Sequence, residues 1–367
     1  MHTMNTPSLT LRNIHTRAVS TPMKRPLRTS VGMVATAPLV LIDIETDEGI
    51  VGHAYLFSYL NSVSAQIRGL INDIAEYLRG DVIAPLEIQS KAASRFRLLG
   101  NRGLVGIALA GIDIACWDVL AKGAGLPLAK LLGGELRPIP AYNSTGLGLM
   151  PAEEAADEAL ELLAEGFPAV KLRLGHPTLE ADLKAVQVVR KRIPGSAILM
   201  SDYNHALSVT EAIRRGQALD SEGLYWIEEP TTHDDFVGNA RVARELKTPI
   251  QLGENFTSIT EMAAAISMGA SDYVMPDLER IGGVTGWMKA AAIAEAGGVE
   301  MSSHLFAEVS AHLLAVTPTR HWLEYVDWAD AILQVPLVVQ DGCIRASDRP
   351  GVGLEWNEDA IRSFIVN

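Results

Sequence analysis

Six acidic residues, two cations and one histidine close successive apolar runs in the C-terminal two thirds of the chain. Asp202, Glu228 and Glu254 end three consecutive runs. On neighbouring strands, ~4.8 Å apart, three such carboxylates surround one ion. Ligation by oxygen alone selects Mg²⁺, or Mn²⁺, over zinc and leaves coordination positions for substrate and water. Glu229 directly follows Glu228, and strand alternation turns only one of the pair inward. Glu228 is read as the ligand, and Glu229 as lying on the outer side or behind the ligands. Lys171 and Arg173 are two apart, so they share a strand face and point into the same space, suited to holding a carboxylate and stabilising developing negative charge. Asp277 and His304 close adjacent runs. A carboxylate that accepts the Nδ1 hydrogen of an imidazole fixes its tautomer and makes Nε2 a better base. The chemistry these groups suit is removal of the α-proton of a carboxylic acid, which imidazole achieves only if the resulting enediolate is stabilised. Glu324, in the last run, is expected to donate to the enediolate, its acid form retained by burial and nearby negative charge.

These residues need a scaffold that brings strand ends together. From Pro138 onward, short apolar runs recur at Ile139–Ser144, Ala169–Leu174, Ile198–Asn204, Leu224–Pro230, Ile250–Asn255, Tyr273–Leu278, Val299–His304 and Trp322–Val326. Most are separated by an amphipathic, alanine-rich helical stretch, such as Glu153–Glu165 or Leu179–Arg192. Eight strands alternating with helices predict a parallel (β/α) barrel, in which the C-terminal strand ends converge on one site. An open doubly wound sheet is the alternative, but no glycine fingerprint follows a first strand. Ahead of the barrel, Leu9–Thr21, Leu39–Glu45 and Gly49–Tyr55 read as a small antiparallel meander, and Val63–Arg79, Pro85–Leu98 and Leu104–Lys122 as helices. The expected organisation is an N-terminal α+β capping domain over residues 1–133, a (β/α) barrel over 134–330, and a segment over 331–367 that packs back on the cap. The Gly282–Gly286 segment is read as a tight strand-to-helix turn, with an anion held at the helix start as the other possibility.

A net charge of −13 and a pI near 5.2 argue against nucleic acid or an anionic membrane as partner. Asp113 and Asp118 interrupt the apolar stretch Leu104–Leu120, which is read as too polar and too short to span a bilayer. Cys116 and Cys343 suggest neither a disulfide framework nor a zinc motif. The first residues carry no signal-peptide pattern, so the cytoplasm is the default compartment.

The motifs together resemble the enolase superfamily, and within it the mandelate racemase subgroup. The resemblance spans nearly the whole chain. It is carried by Thr36–Asp43, Tyr55-Leu56-Phe57, Ala110–Asp113, Trp226–Pro230, Gly253-Glu254-Asn255, Ile281–Trp287 and Ser302–Phe306. It implies an enolase-type modified TIM barrel with Asp202, Glu228 and Glu254 as metal ligands. Asp277 and His304 match the dyad acting on the (R) face, Glu324 the electrophilic acid, and Lys171 the lysine that neutralises the substrate carboxylate. Ser144 and Asn204 match polar substrate contacts, while Leu27, Val31, Val34 and Tyr59 fall on loops that close over a small-molecule 2-hydroxy acid. A homo-oligomer, an octamer in the family, is also implied. Arg173 departs from the family's Lys-x-Lys pair, whose second lysine is the base for the (S) face. Arginine is effectively never deprotonated in proteins. Racemisation or epimerisation of an apolar 2-hydroxy acid is the first expectation, and dehydration of an acid sugar with His304 as sole base is the alternative. An inactive magnesium-binding barrel is a third.

Overall fold

The computed structural model describes residues 8–30 and 32–366. The N-terminal module is an antiparallel meander of β1 (Leu11–Thr29), β2 (Gly32–Thr46) and β3 (Val51–Phe57), backed by α1 (Asn61–Leu78), α2 (Pro85–Arg95) and α3 (Gly103–Gly123). Both strands of the first hairpin run further than expected, with a register shift between Pro22 and Leu27. Beyond the shift, Leu27 pairs Val34 and Arg28 pairs Met33 at the hairpin tip. α3 lies flat on the sheet because Gly111 permits it: a Cβ there would meet Ile42 Cδ1 at 2.4 Å and Leu56 Cδ1 at 2.8 Å. α3 is long and apolar enough to cross a membrane, contrary to the length argument from sequence, but 72% of its most apolar window is buried inside the protein. Its composition is that of a core helix.

After a short α4 (Leu128–Leu131) the barrel begins. Its strands are β4 (Ile139–Asn143), β5 (Ala169–Arg173), β6 (Ile198–Asp202), β7 (Ile227–Glu228), β8 (Ile250–Leu252), β9 (Tyr273–Val274), β10 (Glu300–Met301) and β11 (Leu323–Tyr325). They pair in parallel in chain order from β4 to β10, and β11 pairs β4. Backbone bonds from Ser303 N to Trp322 O (3.0 Å) and from His321 N to Met301 O (2.9 Å) link the β10 and β11 segments. The intervening helices are α5 (Ala152–Ala164), α6 (Leu179–Arg192), α7 (Val209–Leu219), α8 (Phe236–Glu245), α9 (Ile259–Met268), α10 (Gly283–Gly297) and α11 (Ala307–Val316). Four of them start where the sequence supplies an N-cap: Thr178, Ser208, Asp235 and Ser258 each accept from a backbone N–H three residues on. α10 is capped from another module. Its start bears Gly282 and Gly283 at positive φ, and the Asp113 carboxylate of α3 accepts from Thr285 N (2.9 Å) and Thr285 Oγ1. The tight turn and the anion at the helix start are therefore both present, and the anion is the chain's own side chain.

Tyr142, Ala169, Met200, Trp226 and Trp322 form a separate buried cluster. Each lies two residues before Ser144, Lys171, Asp202, Glu228 or Glu324, so alternation points both members of each pair the same way. The large side chains fill the barrel interior one layer toward its N-terminal face, leaving the polar layer at the C-terminal face. In the C-terminal segment, β12 (Val339–Gln340) and β13 (Cys343–Ile344) form a hairpin, and α12 (Glu358–Phe364) follows. This segment divides between two neighbours: β13 pairs antiparallel with β4 of the barrel, while α12 and Ile365 dock on β1.

Candidate active site

Register aligns Asp202 on β6 with Glu228 on β7. Glu254 follows β8 by two residues, after Gly253 at φ +139°. One oxygen from each of the three carboxylates lies within 4.8 Å of the others. Asn204 bonds Asp202 through its backbone N (2.8 Å) and Nδ2 (3.0 Å), and Trp226 Nε1 donates to Glu228 Oε2 (3.1 Å). Burial, with Asp202, Glu324 and Glu254 nearby, pushes the Glu228 carboxyl well above the usual carboxylate range despite Lys171. Three carboxylates converging on one point, only partly offset by Lys171, fit a hard divalent cation with their oxygen donors. No thiolate joins them.

Lys171 and Arg173 both lie buried on the inner face of β5, but they face different partners. Lys171 Nζ reaches Glu228 Oε1 at 2.5 Å, Glu324 Oε1 at 2.8 Å and Asp202 Oδ2 at 3.5 Å. Arg173 is bound to the chain itself. Nη1 donates to Gly146 O (2.6 Å) and Ser144 O (3.1 Å), and Nη2 donates to Ser144 Oγ (2.9 Å). Its Nε stands 4.0 Å from Asp202.

Asp277 and His304 face each other across the β9 and β10 segments as a parallel bridge, with Nδ1 and Oδ2 2.6 Å apart. The other carboxylate oxygen accepts from Glu279 N (2.8 Å) and Arg280 N (3.1 Å). Nε2 is thereby aimed at the metal-ligand cluster, 3.3 Å from Glu254 and 3.9 Å from Glu324. Burial opposes a charge on His304, but Glu324, Glu254 and Asp277 carry its pKa up to about 9.

Glu324 corrects an expectation. Burial would keep its proton, but Lys171 and His304 outweigh burial and hold its pKa at about 2. Leu305 N donates to Oε2 as well, at 2.9 Å. In this structure Glu324 is a carboxylate accepting hydrogen bonds, because the Lys171 ammonium, two strands away around the barrel through β4, reaches it directly.

Ser144 and Asn204 stand at the site, occupied by Arg173 and Asp202 respectively. Leu27 is packed in the apolar core with Val34 against it, so neither matches the expected lining role. Alternation in the extended hairpin turns them inward. A cavity of about 830 Å³ at the mouth is lined instead by their neighbours Arg28, Ser30 and Met33, with Asn204 and His205 opposite. Tyr59 packs against Phe57 with the rings tilted (4.3 Å between centroids) and lies 4.9 Å from the Arg280 guanidinium. Val31 falls outside the described residues.

The sequence reading missed His205, Asn255, Glu279 and Arg280. His205, at φ +62°, lies 3.5 Å from Glu254 and 3.4 Å from Glu229, and touches Asn255 Nδ2 at 2.7 Å. Its position three residues past Asp202 was the available signal. Glu229, at φ +41°, is buried behind the ligands, where it accepts from Gly253 N at 2.8 Å.

Residues 12–133 match the mandelate racemase/muconate lactonizing enzyme N-terminal domain, and 154–360 match the enolase C-terminal domain-like family. A curated relative, the L-talarate/galactarate dehydratase of Salmonella typhimurium, is 34% identical over 88% of this chain and 82% of its own length. An enolase from alpha pretobacterium bal199 with bound magnesium superimposes with a TM-score of 0.96 at 43% identity, covering 98% of this chain and all of that one. An enolase from Bradyrhizobium complexed with magnesium and mandelic acid gives 0.94 at 43% identity, covering 98% and 99%. Dehydratases, cycloisomerases and a racemase all occur among the relatives.

Proposed function

The chain belongs to the enolase superfamily, in its mandelate racemase subgroup, and from that premise we propose that it removes the α-proton of a 2-hydroxycarboxylate with the His304 imidazole. It is an enzyme of that superfamily with magnesium as cofactor. The observation that carries the proposal is the fixed dyad: Asp277 binds Nδ1 at 2.6 Å and leaves Nε2 facing the three metal-binding carboxylates. Asp202, Glu228 and Glu254 would hold the ion, which when bound supplies positive charge against the developing enediolate. Lys171 adds a buried cation beside the same carboxylates, available to a substrate carboxylate. His304 takes the proton, and Asp277 stabilises the imidazolium that results.

Two fates of the enediolate have separate support. Racemisation or epimerisation is the first reading, supported by the Bradyrhizobium relative that holds mandelic acid. It requires a proton donor on the face opposite His304. Dehydration of a 3-hydroxylated acid needs a base on one face only, and the bonding of Arg173 favours it. That guanidinium is committed to Ser144 and Gly146 and cannot serve as a base. Proton NMR in D₂O with Mg²⁺, run against mandelates, aldonic acids and aldaric acids, tests both. Exchange at C2 is expected for at least one of them. Exchange in both enantiomers of one acid indicates racemisation, and a keto-acid product indicates dehydration. No exchange and no product across the panel would overturn the proposal.

A further inference from the structure

We propose that Glu279 and Arg280 are positioning residues that make the base and a metal-binding carboxylate depend on the seating of the N-terminal module. The proposal rests on the reading of His304 as the base and Glu254 as a ligand. It starts from the way two adjacent side chains leave the barrel and grip the cap.

The backbone of this pair sets one end of the dyad. Glu279 N and Arg280 N both donate to Asp277 Oδ1, so the orientation of Asp277, and through it His304, follows the path of the chain at these two residues. The Glu279 side chain is fully buried, and its Oε2 accepts from Phe57 N, the last residue of β3, at 2.9 Å. Its Oε1 has no protein partner. Burial and the neighbouring Asp277 push this carboxyl well above the usual carboxylate range, and the Phe57 N–H holds it in place, since losing that donor leaves a buried acceptor oxygen unsatisfied.

Arg280 carries the connection to the metal-binding side. Its guanidinium lies 4.9 Å from the Tyr59 ring and Nη1 donates to Asn255 Oδ1. The amide nitrogen of Asn255 in turn donates to Glu254 Oε1 at 3.1 Å. Tyr59 is fixed from the cap by Phe57, which also packs on Trp328 with centroids 5.0 Å apart. Two routes therefore leave the Phe57–Tyr59 segment: through Glu279 to Asp277 and His304, and through Arg280 and Asn255 to Glu254. Lifting the cap removes the N–H that Glu279 accepts from, the only one among the described residues, and the ring under Arg280 together. The base and the ligand then lose their alignment in one step, and the enzyme is competent only with its cap seated.

The test uses the magnesium-loaded full chain and three variants: Tyr59→Leu, Arg280→Met and Arg280→Lys. Tyr59 is 39% exposed, so its replacement keeps the test alive if Arg280→Met does not fold. Mg²⁺ affinity is measured by calorimetry and the alignment of the dyad by the low-field Nδ1 proton resonance of His304; neither readout needs turnover. Groups that orient ligands typically change affinity or activity by about 10–100-fold. Tyr59→Leu and Arg280→Met are each expected to weaken Mg²⁺ binding about tenfold and to shift or broaden the resonance, with kcat falling more than KM rises. Arg280→Lys, which keeps a cation over the ring, should recover part of each. Variants that only lower Tm, with Mg²⁺ affinity and the resonance unchanged, overturn the proposal. If the wild type exchanges no substrate proton, the assignment of the reaction fails, while affinity and resonance still decide the coupling.

Discussion

The two walls of the site carry their charges in opposite ways. On the β9–β10 wall, His304 has one nitrogen fixed by Asp277 and the other turned toward Glu254 and Glu324 in the site. On the β5 wall, Lys171 and Arg173 are bonded to protein oxygens: Lys171 to three carboxylates, Arg173 to the Ser144–Gly146 turn. One wall can exchange a proton and the other supplies fixed positive charge. A site built this way treats the two faces of a substrate carbon unequally, and substitutions should expose that inequality.

The largest effect is expected from His304→Asn. Positioned acid–base groups contribute about 10²–10⁴ in rate, and loss toward the upper end should appear as absent C2 exchange by NMR, with Mg²⁺ affinity nearly intact by calorimetry. Retained exchange would move the base to the other wall. Asp277→Asn should follow with about 10²-fold slower exchange, because the amide no longer fixes the productive tautomer. Next comes Arg173→Lys. Lysine cannot serve both Ser144 and Gly146 as the guanidinium fork does, so urea denaturation should show a loss of about 1–3 kcal/mol from carbonyls left without a donor. The same variant should raise exchange at the face opposite His304 if the pocket is built for racemisation. Unchanged stereochemistry would sharpen the contrast between the walls. Smallest is Ser144→Ala, which removes the oxygen that accepts from Arg173 Nη2; a loss of about 1 kcal/mol is expected in the same denaturation measurement.

The polar ends of the barrel strands were legible because a barrel needs its apolar runs short and its strand ends functional. Asp202, Glu228, Glu254, Asp277 and His304 stood out by type and by position, and the structure brings all five together. Other features depend on contacts that no local pattern encodes. Residues 22–26 contain two prolines and three polar or flexible neighbours, so alternation stops at Thr21, although pairing resumes after a register shift. The lining roles of Leu27 and Val34 rest on the family resemblance, which carries no information on how this hairpin continues past the shift. Glu324 reads as a buried acid until the reach of Lys171 is known. Glu279 and Arg280 look like turn residues, because their partners Phe57 and Tyr59 lie more than two hundred positions earlier. The family resemblance supplied the roles of Ser144 and Asn204, but not that Arg173 and Asp202 already engage them.

The C-terminal segment has a consequence for how the protein is made. β13 pairs with the first strand of the barrel, and α12 reaches the first strand of the cap, where Glu358 meets Arg17 across 341 residues of sequence. Contacts so distant along the chain are slow to form, because the entropy of closing the loop is lost before the contact compensates for it. During synthesis the cap and the first barrel strand leave the ribosome early, each with an edge whose partner has not yet been translated. The start of β4, at Ile139–Pro140, and the Val19 edge of β1 stay unpaired until residues 343–365 have emerged, and the docking of that stretch closes both.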